Sequence, residues 1–137
     1  MDARARGRIG RVDLRRIARF AGLACLPVLV WLSWIPRDWE VRTGAAGQIE
    51  HFVAYAGAAG LIGLGFHRLP AWRLGLALGI LAGLLEIGQL WVPGRTAQVV
   101  DFAASAGGAL AGLAAARALD LAGRAVAGRR VAAGQGA

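Results

Sequence analysis

Residues 84–95 read LLEIGQLWVPGR, the end of an apolar run that begins near Leu74. Without Glu86 the run would be a plain membrane-crossing helix, which takes about 20 mostly apolar residues. A carboxylate held in lipid costs at least a few kcal/mol, so Glu86 must be paired, protonated or placed in a wet cavity. Glu86 lies seven residues past Gly79 and three past Gly83, on the face of a small-residue ladder, and so points at another helix rather than at lipid. The stretch therefore predicts a packed membrane bundle rather than a lone span.

Composition agrees. The chain has 137 residues, enough for one domain, with 57% hydrophobic and 18% charged residues. The apolar share exceeds that of a typical soluble domain and the charged share falls below it. Net charge is +8, carried by arginine alone. The arginines lie at the termini and between apolar runs, without the interleaved aromatics of a nucleic-acid groove, and no nucleic-acid partner is expected. The single cysteine, Cys25, lies in an apolar run and excludes an internal disulfide or an all-cysteine metal site.

Four spans are predicted, at about 20–36, 51–67, 74–92 and 99–116. A basic arm, 1–19, precedes them, and the membrane domain extends to 122. Residues 123–137 read as a disordered basic tail. The first span follows an arginine-rich segment but lacks a nearby small-residue cleavage site, and reads as a retained helix. Arginines concentrate in the N-terminal arm, in the connection holding Arg68 and Arg73, and at the C-terminal end. That alternation places both termini in the cytoplasm, in a multi-pass protein of the cytoplasmic membrane. Trp31, Trp34, Trp39 and Trp91 then form an outer aromatic belt, with Trp72 at the inner face. The fold class is all-α, a four-transmembrane-helix bundle.

Small residues recur every fourth position, at Gly75, Gly79 and Gly83 and again at Ala104, Gly108 and Gly112. Such ladders let helix backbones approach closely in lipid, and predict packing faces within the bundle or a homo-oligomer through the same faces. Pro93-Gly94 predicts a tight turn with positive φ at the glycine, making spans three and four a hairpin. Glu86 and Asp101 then lie at similar depth, about seven residues or roughly 10 Å from the turn. If they face one another, they share a proton or are neutralised by Arg95. His51 and Tyr55, four apart on span two, enter from the same side. His51, Tyr55, Glu86, Gln89, Arg95 and Asp101 thus converge on the outer leaflet.

HFVAYAG at 51–57 and EIGQLWVPGRTAQVVDFAASAGGALAG at 86–112 resemble the VanZ-like family of small bacterial membrane proteins. The family pattern falls on His51, Phe52, Tyr55, Glu86, Gln89, Pro93, Gly94, Arg95 and Asp101. The chain departs from it at Gly47-Gln48, where the family often has Asp-Lys, and at Ser105, where it often has Asn. Ser105 keeps a hydrogen-bonding side chain and belongs to the candidate set. The family is named for an accessory protein of resistance to teicoplanin-type glycopeptide antibiotics.

Four functions are compatible with this cluster. One is binding of an envelope lipid or glycopeptide, with Arg95 and His51 holding a phosphate or carboxylate and the acids orienting it. Another is acid–base chemistry on lipid headgroups by an uncharacterised enzyme. No nucleophile motif, H-E-x-x-H metal motif or cofactor signature accompanies it, so neither metal nor cofactor is expected. The others are a proton relay and a purely structural network. Membrane lipids are the expected surroundings.

Overall fold

A computed structural model describes residues 3–39 and 46–133 of the chain. Four helices, α1 Ala3–Trp34, α2 Gly47–Gly65, α3 Ala71–Gly88 and α4 Val99–Ala133, account for most of them, with short 3₁₀ turns at Arg37–Trp39 and Gln89–Trp91. No strand occurs among the described residues. Among the described residues, three stretches are long and apolar enough to cross a membrane: Leu14–Trp34, Ala71–Trp91 and Val99–Arg129. α2 falls short of that composition because Gln48, Glu50 and His51 occupy its first turns. Its 19 residues are still about 28 Å long.

The side-chain distribution is that of a bundle in an apolar surround. Large apolar residues face outward, among them Phe20, Trp31, Leu76, Ile80, Leu84 and Leu110, whereas the buried core is rich in alanine and leucine. Among the described residues, five buried side chains are polar or charged: Ser33, Glu86, Gln89, Asp101 and Ser105. In water this arrangement would expose far more contiguous apolar surface than a soluble monomer carries.

α2 is the central helix, packed mainly on α4 and next on α1. It contributes Tyr55, Ala58, Ala59 and Ile62 to the core beside Leu29, Leu78, Leu85 and Leu113. The ladder on α4 makes the closest approach: Gly108 abuts the Phe52 carbonyl and Gly112 the Ala56 carbonyl. The equal spacing of these pairs sets α2 and α4 parallel in a fixed register. The ladder on α3 is looser, and Gly79 has nothing within 4 Å of where a Cβ would stand. The turn between α3 and α4 forms as expected, with Arg95 N–H donating to the Val92 carbonyl at 3.1 Å and Gly94 at φ 75.

At the far end from that turn, arginines cap α2. Arg19 of α1 donates to the Gly65 carbonyl at 3.1 Å and lies 4.9 Å from the Phe66 ring centre. Arg117 of α4 donates to the His67 carbonyl at 2.7 Å and also to that of Leu69. Cations beside the last carbonyls satisfy them and complement the helix dipole. Asp120 ties α1 to α4, bonded by Arg15 at 2.6 Å and by Arg124 at 2.6 Å.

Two boundaries differ from expectation. The basic arm is continuous with the first span, since α1 begins at Ala3. The segment expected as a disordered tail from 123 is instead helical to Ala133. Alanine-rich sequence favours helix at every position, and the Asp120–Arg124 pair, four apart, supports it where it leaves the bundle. Residues 134–137 lie outside the described residues.

The Gly108 contact predicts a selective cost. Gly108→Ala drives a Cβ into the Phe52 carbonyl and should lower unfolding stability in detergent by about 1–3 kcal/mol. Gly79→Ala fills open space and should be neutral or stabilising by up to about 1 kcal/mol, from helix propensity. Thermal unfolding of the two variants checks this ranking.

His67, in the connection after α2, has a buried Nδ1 without a hydrogen-bond partner among the described residues. Burial, then the charge of Arg15, hold this imidazole below its ordinary value against the opposing effect of Asp120. A histidine with a depressed folded pKa stabilises the fold above its unfolded value of about 6.5, and that contribution is lost as pH falls through the folded value. Melting temperature should therefore drop from about pH 7.5 to about pH 5, and a His67→Phe variant should show a shallower drop.

Candidate functional site

The end of α1, the start of α2, the end of α3 and the start of α4 meet at one pole of the bundle. Each helix there leaves backbone groups unsatisfied, and side chains from its neighbours meet them. Arg95, just after the turn, donates through Nε to the Ile35 carbonyl at 3.2 Å and through an Nη to the Leu32 carbonyl at 3.0 Å. It thereby closes the carbonyl end of α1. Trp34 Nε1–H donates to the Leu85 carbonyl at 3.3 Å and joins α1 to α3.

The place of Glu86 follows from the same need. Its carboxylate accepts the backbone N–H of Gln98 at 2.5 Å. Gln98 directly precedes α4, and its own carbonyl accepts the N–H groups of Asp101 and Phe102 at 3.0 and 3.2 Å. A buried acid at the start of a helix meets the positive end of its dipole. Glu86 therefore fixes the entry of α4 from the last turn of α3.

Asp101 lies in the first turn of α4. Its Oδ1 accepts from Gln48 Nε2 at 3.0 Å, and its Oδ2 lies 3.9 Å from His51 Nε2. The other ring nitrogen of His51, Nδ1, lies 3.4 Å from Ser105 Oγ. Asp101 and Ser105, one helical turn apart on α4, thus hold the two sides of one imidazole on α2. Glu86 and Asp101 are engaged by different donors, the Gln98 amide and the Gln48 side chain. Ser105 is only 2% exposed, so its hydroxyl orients the ring from beneath rather than facing an open site.

Above this layer is a cup of about 260 Å³. His51, Gln89, Arg95 and Asp101 line it together with Glu50. Tyr55 instead lines a neighbouring groove, and Glu86 and Ser105 support the cup from below. Sequence reasoning missed Gln48, Thr96 and Gln98, which complete the polar wall. Two signals could have found them: Gln48 is one turn before His51 on α2, and Gln98 stands at the cap position of α4.

The groove, of about 580 Å³, runs between α1 and α2. Leu29, Leu32, Ile49 and Val53 make its walls, and Trp31 and Trp39 line it as well. Glu50, His51 and Arg95 border both cavities, so groove and cup adjoin.

Chemically, the cup presents carboxylates, carboxamides, a hydroxyl and an imidazole, which suit a neutral ligand rich in hydrogen-bond donors and acceptors. Arg95 adds a guanidinium to the wall, with Nε and one Nη donating to backbone carbonyls. Comparison with family models, with curated proteins and with solved structures finds no match for this chain.

The Glu86 contact predicts that the acceptor matters more than the charge. Glu86→Gln keeps an oxygen for the Gln98 N–H, whereas Glu86→Leu leaves that N–H unmet and should cost about 1–3 kcal/mol. Because the acids use separate donors, Glu86→Gln and Asp101→Asn should add to within about 0.5 kcal/mol in a double-mutant cycle of unfolding.

Proposed function

We propose that this chain is a four-span protein of the cytoplasmic membrane, of the VanZ-like type, that binds an envelope component through the cup. In this reading α2 crosses with the other three helices, both termini are cytoplasmic and the cup faces outward. The arginine-rich ends and the connection bearing Arg68 and Arg73 support that orientation. The sequence patterns around His51 and from Glu86 to Asp101 support the family.

The observation that carries the binding role is the cup itself. Gln48, His51, Gln89, Thr96, Gln98 and Asp101 present polar atoms to a cavity at the pole of a membrane bundle. A network serving packing alone would close over its polar groups, because buried donors and acceptors are stabilised by direct partners. The ligand chemistry that fits is a hydroxyl- and amide-bearing head, such as the sugar and peptide portion of an envelope lipid or of a glycopeptide. A role in glycopeptide resistance would follow from such binding, and is tested by the same probes.

The test is a thermal-shift titration of purified protein in detergent with a soluble disaccharide-peptide and with a teicoplanin-type glycopeptide. A saturable rise in melting temperature is expected, because a ligand of the folded state stabilises it. Asp101→Asn and Gln48→Leu should each weaken binding about ten-fold, roughly the loss of one hydrogen bond to the ligand. Absence of a saturable shift with both probes, or equal shifts in the variants, would sink the proposal.

A further inference from the structure

The cup and the α1–α2 groove share a border and differ in chemistry. Leu29, Leu32, Ile49 and Val53 wall the groove, whereas the cup wall is polar. The groove lining runs from Leu29 on α1 to Ile35 just past its end, and on α2 from Ile49 to Tyr55, the latter about 9 Å of helix. Its α1 wall belongs to a helix apolar enough to cross a membrane. Trp31 and Trp39, 62% and 74% exposed, line the groove where aromatic side chains meet headgroups. A polar cavity and an apolar one side by side match the two parts of an amphiphile.

We infer that the ligand of the cup is a glycosylated membrane lipid, with the first part of one hydrocarbon chain lying in the α1–α2 groove and the sugar in the cup. This rests on the binding role given above and assigns its ligand class. Hydrogen bonding decides the head. The cup wall is made of carboxamides, a hydroxyl, an imidazole and charges of both signs, from Gln48, Gln89, Thr96, Gln98, His51, Asp101 and Arg95. Such a mixed wall of donors and acceptors matches the hydroxyls of a neutral sugar better than a single concentrated charge. The apolar groove favours a ligand delivered from the bilayer over a freely soluble one, because chain burial adds to the polar contacts.

Photo-crosslinking in phosphatidylcholine nanodiscs tests this. One probe is a monoglycosyl diacylglycerol with a diazirine in its acyl chain; the other is phosphatidylcholine with the same chain. The glycolipid should label residues 29–35 and 49–55 about ten-fold more than phosphatidylcholine does. Val53→Trp and Leu32→Trp, both at exposed positions of the groove wall, should each remove most of that labelling. Asp101→Asn should reduce it as well. Labelling that survives both tryptophan variants overturns the groove assignment. If the soluble probes still shift melting in that case, cup binding stands and only the chain site fails. Equal labelling by both lipids, unchanged in Asp101→Asn, means unselective filling of the groove and overturns the inference. Cross-links between the α1–α2 faces of two copies would assign the groove to a second protomer and overturn it likewise.

Discussion

The contact on which the site depends is the close approach of α4 to α2. Gly108 and Gly112 leave no side chain between the helices, so the backbone of α4 lies against the carbonyls of Phe52 and Ala56. In lipid there is little hydrophobic gain from joining two apolar helices, and backbone proximity with dispersion contacts drives the association. Approach this close also fixes register. With Phe52 opposite Gly108, the turn of α2 bearing Gln48 and His51 stands opposite the turn of α4 bearing Asp101 and Ser105. The Asp101–Gln48 bond and the imidazole held between Asp101 and Ser105 follow from that alignment. A side chain at either glycine would separate the helices and detune those distances first.

The two poles obey one rule with different chemistry. Helix ends expose carbonyls or amides that the bilayer interior cannot satisfy. At the pole where α2 ends, arginines meet carbonyls, from Arg19 and Arg117. At the pole with the cup, Arg95 does this for α1 while Glu86 meets an amide at the start of α4. The acid that makes residues 84–95 unusual is thus placed by helix geometry. The cup is the space left where these end groups, each committed to a backbone partner, do not close on one another.

Much of this was legible in the sequence. The apolar runs gave the four helices, although α1 and α4 continue through the arginines expected to bound them, and Pro93-Gly94 gave the hairpin turn with its positive φ. The convergence of His51, Gln89, Arg95 and Asp101 follows from topology, because all four lie at helix ends that must share a pole. The α4 ladder was correctly assigned to close packing, while the α3 ladder, identical in spacing, has open space at Gly79. Spacing identifies a face that can pack; it does not identify the neighbour. The helical stretch beyond 123 was missed because a short basic, glycine-containing segment resembles a tail by composition, although alanine and one ion pair support its helix.

The sequence by itself determined the all-helical class, the helix count among described residues and the turn, since these depend on hydropathy and local backbone preference. Only the tertiary structure decided partners. Glu86 pairs with a backbone amide instead of Asp101, Arg95 with carbonyls of α1, and Gln48 with Asp101. It also decided that an apolar groove adjoins the polar cup. Those outcomes depend on the azimuth and separation of helices, which are set by contacts among residues far apart in the chain and leave no periodic mark in it.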